Sequence, residues 1–296
     1  MTMFNATVLC MFLFLGFLGG AYGQVATKAE DPSSERSFQL LEETPSDTEL
    51  PATQDGGTFE YSFSPKFEDL AKNDVVRFRN VAKYGITDNL EARARFEFYT
   101  GNPTRNNWDT NVSNAGVGLK YQFEEWPGFA DIRSGTGFEF SFPIGSPSKK
   151  FVDEFGFISP FITFSRFLES YPQVLTFTNL GLNFVTNPPG RDKPKEERPD
   201  HSLNLTLGGI FYHTNALRYT GELLYRTTEI GGGGQNQVFL TPGINWDVPV
   251  KYTSYLYMPG LFQLSGGVQV PLTDEESNYR IFTKIKWNFD FGKFFR

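Results

Sequence analysis

Few side chains in this 296-residue chain have the type and spacing for chemistry. It contains two histidines, His201 and His213, and one cysteine, Cys10. A metal centre needs several converging His, Cys, Asp or Glu ligands, and the sequence groups none of them closely around either histidine. His201 stands beside Ser202, a pair that an embedded lipase or acyltransferase would want. Neighbouring residues of a strand point to opposite faces, so the two cannot form a dyad. Gly231 to Gly234 is not a phosphate loop, because no Lys-Ser/Thr and no helix follows it. No cofactor, metal or catalytic residue is expected. What remains is fixed charge. Arg77, Arg79, Arg93, Arg95, Lys120, Arg133, Arg166, Arg218, Arg226, Arg280, Lys284 and Lys286 fall on the polar parity of the alternating segments described next, and Glu91, Glu97, Glu139, Glu222 and Asp290 share it. Twelve bases against five acids around an enclosed path would draw anions through the local potential. Alternatively, Arg77, Arg79, Arg93 and Arg95 pair across strands with Glu91, Glu97 and their neighbours and only brace a wall. Both readings stay open on the sequence.

The elements that would position these charges count in twos. In 90–99, LEARARFEFY, Leu90, Ala92, Ala94, Phe96 and Phe98 share one face and Glu91, Arg93, Arg95 and Glu97 the other. Period two is the mark of a strand and would scatter around a helix. The pattern recurs and gives twelve predicted strands, with a range of ten to fourteen, near 57–64, 74–84, 90–99, 112–123, 132–143, 155–167, 173–186, 201–213, 217–227, 236–246, 254–272 and 278–291. No amphipathic helix is expected after Gly57. Pro160, Pro242 and Pro259 each remove a donor from a ladder. Every second connection is long, the longest at 187–200, as in an up-and-down barrel with short turns at one end and longer loops at the other.

The composition agrees. There are 32 Phe in a chain whose mean hydropathy is only −0.34, so the apolar residues must be spread singly, which suits alternating strands. A polytopic helical membrane protein is excluded for want of repeated apolar runs of about 20 residues. A net charge of −7 and a pI of about 5.1 exclude a basic nucleic-acid binder.

The first 56 residues read differently. Residues 8–22, VLCMFLFLGFLGGAY, form an apolar run suited to a signal-peptide core, with cleavage expected before Gln24 and residues 1–23 removed. Residues 24–56 are rich in Pro, Ser, Thr and acids, an acidic disordered linker or a plug. Residues 24–73 carry eleven acids and four bases, and the remainder balances to zero, so the acidity belongs to the N-terminal segment. Residues 57–296 are the expected barrel.

Charge decides which face meets lipid. An Arg or Lys facing lipid at the midplane costs about 2–4 kcal/mol. Several of them would exceed the roughly 5–15 kcal/mol stability of a typical fold. The polar parity must therefore face a lumen and the Phe, Leu and Val parity the hydrocarbon. The alternative is a soluble β-sandwich or lipocalin-like barrel with its Phe face inward. Phe164, Leu175, Phe177, Ile210, Tyr212, Phe239 and Phe282 share the inward parity, as a lining for apolar or aromatic solutes or as simple packing.

Residues 83–91, KYGITDNLE, join two predicted strands. The turn resembles the early hairpin of the outer-membrane family associated with the meta-pathway of phenol degradation (MetA-like), with its Tyr-Gly-(Leu/Ile)-Thr-Asp-x-(Leu/Phe)-Glu pattern. The resemblance extends loosely to the chain's end. It implies an all-β transmembrane barrel in the outer membrane of a Gram-negative-type bacterium, passing small, in part aromatic, compounds and carrying no catalytic residues. One departure is that Phe295 is penultimate and Arg296 last, where such barrels usually end on an aromatic residue. The expected partners are outer-membrane lipid and a small solute. The sequence leaves open two other functions, a barrel-embedded envelope enzyme acting on lipids and a non-conducting structural barrel.

Overall fold

The computed structural model describes residues 44–46, 48–68, 75–101, 109–123, 131–144, 155–186, 201–227, 236–253, 260–273 and 279–290. They form twelve antiparallel strands: β1 (Thr58–Glu68), β2 (Val75–Thr87), β3 (Leu90–Gly101), β4 (Asp109–Phe123), β5 (Arg133–Pro143), β6 (Gly156–Leu168), β7 (Tyr171–Thr186), β8 (Ser202–Tyr212), β9 (Leu217–Thr227), β10 (Asn236–Val248), β11 (Leu261–Pro271) and β12 (Arg280–Asp290). Each strand pairs with its sequence neighbours, and β1 closes the ring on β12 from Thr58↔Asp290 to Glu68↔Arg280. Closure leaves no free sheet edge, the condition for crossing lipid with strands.

The alternation predicted from sequence sets the two faces. Val117, Leu119 and Tyr121 of β4 are exposed, Val117 by 54%, while Lys120 between them is only 3% exposed. Phe96, Phe138, Phe140, Phe142, Leu180, Leu207, Ile244, Leu264 and Ile285 continue the exposed apolar face around the ring. Such a surface is unstable in water and matches hydrocarbon. The rings also stack along it, as in Phe63–Phe78 and Phe78–Phe98, with centroids 5.8 and 4.8 Å apart. The fold is a transmembrane up-and-down barrel.

Prolines enter the strands where a ladder skips. Pro65 falls between Phe63↔Ile285 and Lys66↔Phe282, Pro160 between Ile158↔Phe184 and Phe161↔Gly181, and Pro242 between Leu240↔Val270 and Gly243↔Gly267. Each keeps its register with the other neighbour strand. A residue without an N–H is tolerated because only one of its two ladders opens. Pro259 lies outside the described residues.

Both ends of the described barrel chain lie at one end of the ring, which carries connections of 2, 9, 2, 4 and 12 residues; at the other end they run 6, 7, 12, 15, 8 and 8. The 12-residue connection 249–260 breaks the short-turn pattern and holds the one helical turn among the described residues, α1 (Val250–Thr253), where no helix was expected. The strand expected from 254 begins at Leu261, β1 runs on to Glu68, and β4 starts at Asp109.

Two inward assignments made from sequence are reversed in β6. The register Gly135↔Thr163 and Arg133↔Ser165 turns Thr163 and Ser165 inward, each at most 2% exposed, and puts Phe164 on the outer face. Arg166 shares the outer parity and ends at the rim, 2.5 Å from Glu169 and 3.9 Å from Asp131. The sequence of β6 is apolar on both faces, so hydropathy alone could not fix its parity.

Candidate functional site: a charged wall and an internal segment

The interior has two unlike sides. Strands β12 and β1 to β5 turn most of the charge inward. Arg95 meets Glu139 at 2.7 Å and Glu97 at 3.7 Å, and Arg79 meets Glu97 at 3.3 Å. Arg93 and Lys120 lie nearer the short-turn end and are almost fully buried. Lys284 on β12 is equally buried. Arg77 is half-buried opposite Tyr99, and Arg280 opposite Gln269. Arg133 lies over the Phe167 ring at 5.8 Å. The facing wall, β6 to β11, is mostly neutral, with Leu175, Phe177, Ile210 and Phe239 buried inward. It carries two buried charges of the predicted set. Arg218 is paired with Asp247 and lies 6.0 Å from the centre of the Tyr212 ring. Glu222 is 2% exposed. Arg226 donates to Asn204 at 2.9 Å.

Several charged groups were missed in the sequence. Lys83 continues the parity of Arg77 and Arg79, and Lys66 and Glu60 follow from the alternation of β1, so these three were legible there. Glu60 bridges Lys83 at 3.4 Å and Lys286 at 3.0 Å across the β12–β1–β2 seam. Asp247 sits on the inward parity of β10. Glu49 had no pattern to betray it. Among the described residues, with Arg166 removed and Lys66 and Lys83 added, inward bases number thirteen; Glu49, Glu60 and Asp247 raise the acids placed there to eight. The basic excess narrows but persists.

Residues 44–56, apart from 47, run through the barrel interior. Gly57 N–H donates to Gly85 O at 2.8 Å, and Gly56 N–H to Asp88 Oδ1 at 3.0 Å, so the chain turns inward at the short-turn rim. Gln54 then bridges the seam: its N–H donates to Glu91 at 3.1 Å, its amide nitrogen to Glu60 at 3.0 Å, and its amide oxygen accepts from Asn288 at 3.1 Å. Lys120 donates to Ala52 O. Glu49 is gripped by both terminal nitrogens of Arg93, at 2.5 and 3.0 Å, with Lys120 at 3.9 Å. Across the interior, the Glu49 carbonyl accepts from Thr163 at 2.8 Å and Asn179 at 3.0 Å. Leu50 closes against Leu175, Phe177 and Ile210. Farther on, Ser46 and Thr48 donate to Glu222, and Lys284 donates to Thr44 O at 3.2 Å. Residues 1–43 lie outside the described residues.

The wall is shaped for this segment. A Cβ on Gly85 would stand 2.0 Å from Asp55 O, and one on Gly243 would stand 2.7 Å from Pro45 Cγ. Glycine leaves room there for the segment, for its backbone at Gly85 and for the Pro45 ring at Gly243. Beside Glu49 a small cavity, with room for about one water, is bordered by Arg79, Lys83, Arg93, Lys284, Glu139 and Glu49.

The histidines stand among rings away from this interior network. His201 accepts Val185 N–H at Nδ1, 3.2 Å away, and lies 5.6 Å from Phe184. His213 lies 5.8 Å from Tyr219 and 6.4 Å from Phe211. Among the described residues no three His, Cys, Asp or Glu side chains converge as a metal site would require.

No protein-family model matches the sequence, and no curated protein matches it either. Solved structures share its fold. An outer membrane channel from Pseudomonas putida F1 superimposes with a TM-score of 0.60 at 11% identity, over 82% of this chain and 99% of that one. The KdgM porin does so with 0.50 at 8% identity, over 78% and 99%, and the NanC porin with 0.50 at 7%, over 77% and 98%. At such identities the likeness is one of fold.

Proposed function

We propose that this chain is an outer-membrane barrel serving as a passive pore or transporter for small solutes, anionic and aromatic compounds among them. The observation that carries this reading is a ring sealed on itself that turns an apolar face outward and an excess of Arg and Lys inward. Fixed cations inside a low-dielectric wall raise the local concentration of anions. The likeness to outer-membrane channels and porins supports the same reading and the same membrane. The KYGITDNLE hairpin, the resemblance to the phenol-degradation family and the ring-bearing wall of Phe177 and Phe239 favour aromatic solutes.

The test is a reversal potential in a planar bilayer under a tenfold KCl gradient. The wild-type barrel is expected to pass chloride in preference to potassium. Arg79→Gln/Arg95→Gln leaves Glu97 and Glu139 without these cations and should move the reversal potential toward the cation-selective sign. A barrel that passes no current, or one already selective for potassium, would overturn the reading.

A further inference from the structure

We infer that Arg93 and Lys120 form a carboxylate-binding subsite in the barrel interior, and that Glu49 occupies it as a ligand carried by the chain itself. The inference rests on the transport reading above and names the ligand chemistry of its path. Arg93 presents both terminal nitrogens to one carboxylate, at 2.5 and 3.0 Å. That two-pronged geometry selects a planar anion rather than any negative charge. Lys120 adds a second cation 3.9 Å from the same carboxylate and is itself 3% exposed. Lining residues hold the fork in place. The Arg93 guanidinium lies 5.4 Å from the centre of the Phe161 ring and 3.7 Å from Glu91, and a Cβ on Gly118 would come within 3.1 Å of the Arg93 Cγ and Cδ.

The occupant differs from an ordinary wall residue. Wall carboxylates such as Glu91 and Glu139 are fixed by their strands. Glu49 belongs to the internal segment, and its side chain is 22% exposed, whereas that of Arg93 is 4%. The cavity beside it already borders Arg79, Lys83, Arg93 and Lys284. Around this point the cations Lys83, Arg93, Lys120 and Lys286 face the acids Glu49, Glu60 and Glu91. Withdrawing Glu49 raises the net charge of the cluster from +1 to +2 and opens the volume of one carboxylate. A solute carboxylate entering there would restore both, without leaving a buried guanidinium short of its partner.

Glu49→Ala removes the internal carboxylate and keeps the fork. With refolded full-length protein in vesicles, calorimetric titration with propionate at constant ionic strength is expected to show binding at least tenfold tighter than to wild type. The neutral isostere propionamide should show no gain. Adding Arg93→Gln to Glu49→Ala should abolish the gain. Should Glu49→Ala not refold, Glu49→Ser, which also vacates the space of the carboxylate but keeps a polar side chain, is expected to gain affinity in the same direction. Propionate binding no tighter than wild type in the refolded variant, or a gain that survives Arg93→Gln or extends to propionamide, overturns the subsite. A barrel that is anion-selective but shows no gain loses only the subsite; one that binds propionate yet carries no current loses only the transport reading.

Discussion

Deletion of residues 44–55 is expected to raise single-channel conductance several-fold. A twelve-strand ring lies between eight strands, whose interior side chains fill, and sixteen, which leave an aqueous channel. Its conductance therefore depends on what else occupies it. Here the internal segment touches opposite walls, from Gln54 on Glu60 and Glu91 to Ser46 on Glu222. Removing it withdraws Leu50 from Leu175, Phe177 and Ile210 and uncovers the Arg93 fork. Breaking a buried ion pair ordinarily costs about 3–5 kcal/mol because a charge is stranded. In the deletion, water fills the vacated space and solvates Arg93, so the barrel should still assemble. Conductance of refolded wild-type and deleted proteins in the same bilayer checks this. Equal values would mean that the segment does not limit the path.

The second large effect concerns the outer face. Val117→Arg should destabilise the barrel in vesicles by about 2–4 kcal/mol, whereas Tyr121→Arg, near the end of β4, should cost about 0–1 kcal/mol. Both residues point outward and both are well exposed, by 54% and 43%. In a water-soluble protein two such exposed sites would tolerate Arg alike. The difference is therefore a depth effect that only a bilayer imposes. Denaturant unfolding of both variants from vesicles measures it.

Much of this architecture was legible, for reasons particular residues make plain. LEARARFEFY alternates up to Phe98, and those faces came out as read, with Tyr99 joining the inward parity of Arg93, Arg95 and Glu97. The twelve-strand count followed from the recurring alternation, and the connection lengths agreed with it. The parity of β6 failed because Phe157 and Phe161 turn inward while Ile158 and Ile162 turn outward, and only the register with β5 separates them. The irregularity in the β3–β4 pairing, where Phe96↔Ala115 is followed by Phe98↔Val112, left no mark in the hydropathy pattern. The charged wall was read from parity, but its partners were not. Glu49 lies in a stretch of Pro, Thr and acids that carries no periodicity. A contact 44 residues away in sequence, on Arg93, has no local signature. The use of the glycines at 85 and 243 became visible only with Asp55 and Pro45 against them.

The central claim is that the apolar parity faces lipid and the charged parity an enclosed interior. Spin labels at successive positions 116 to 121 of β4, in a cysteine-free background reconstituted into vesicles, test it most directly. Collision rates with molecular oxygen, which concentrates in hydrocarbon, should be high at 117, 119 and 121 and low at 116, 118 and 120, with period two. Oxygen contact at 116, 118 and 120 with protection at 117 and 119, or equal access of a water-soluble nickel chelate to both sets, would contradict the account.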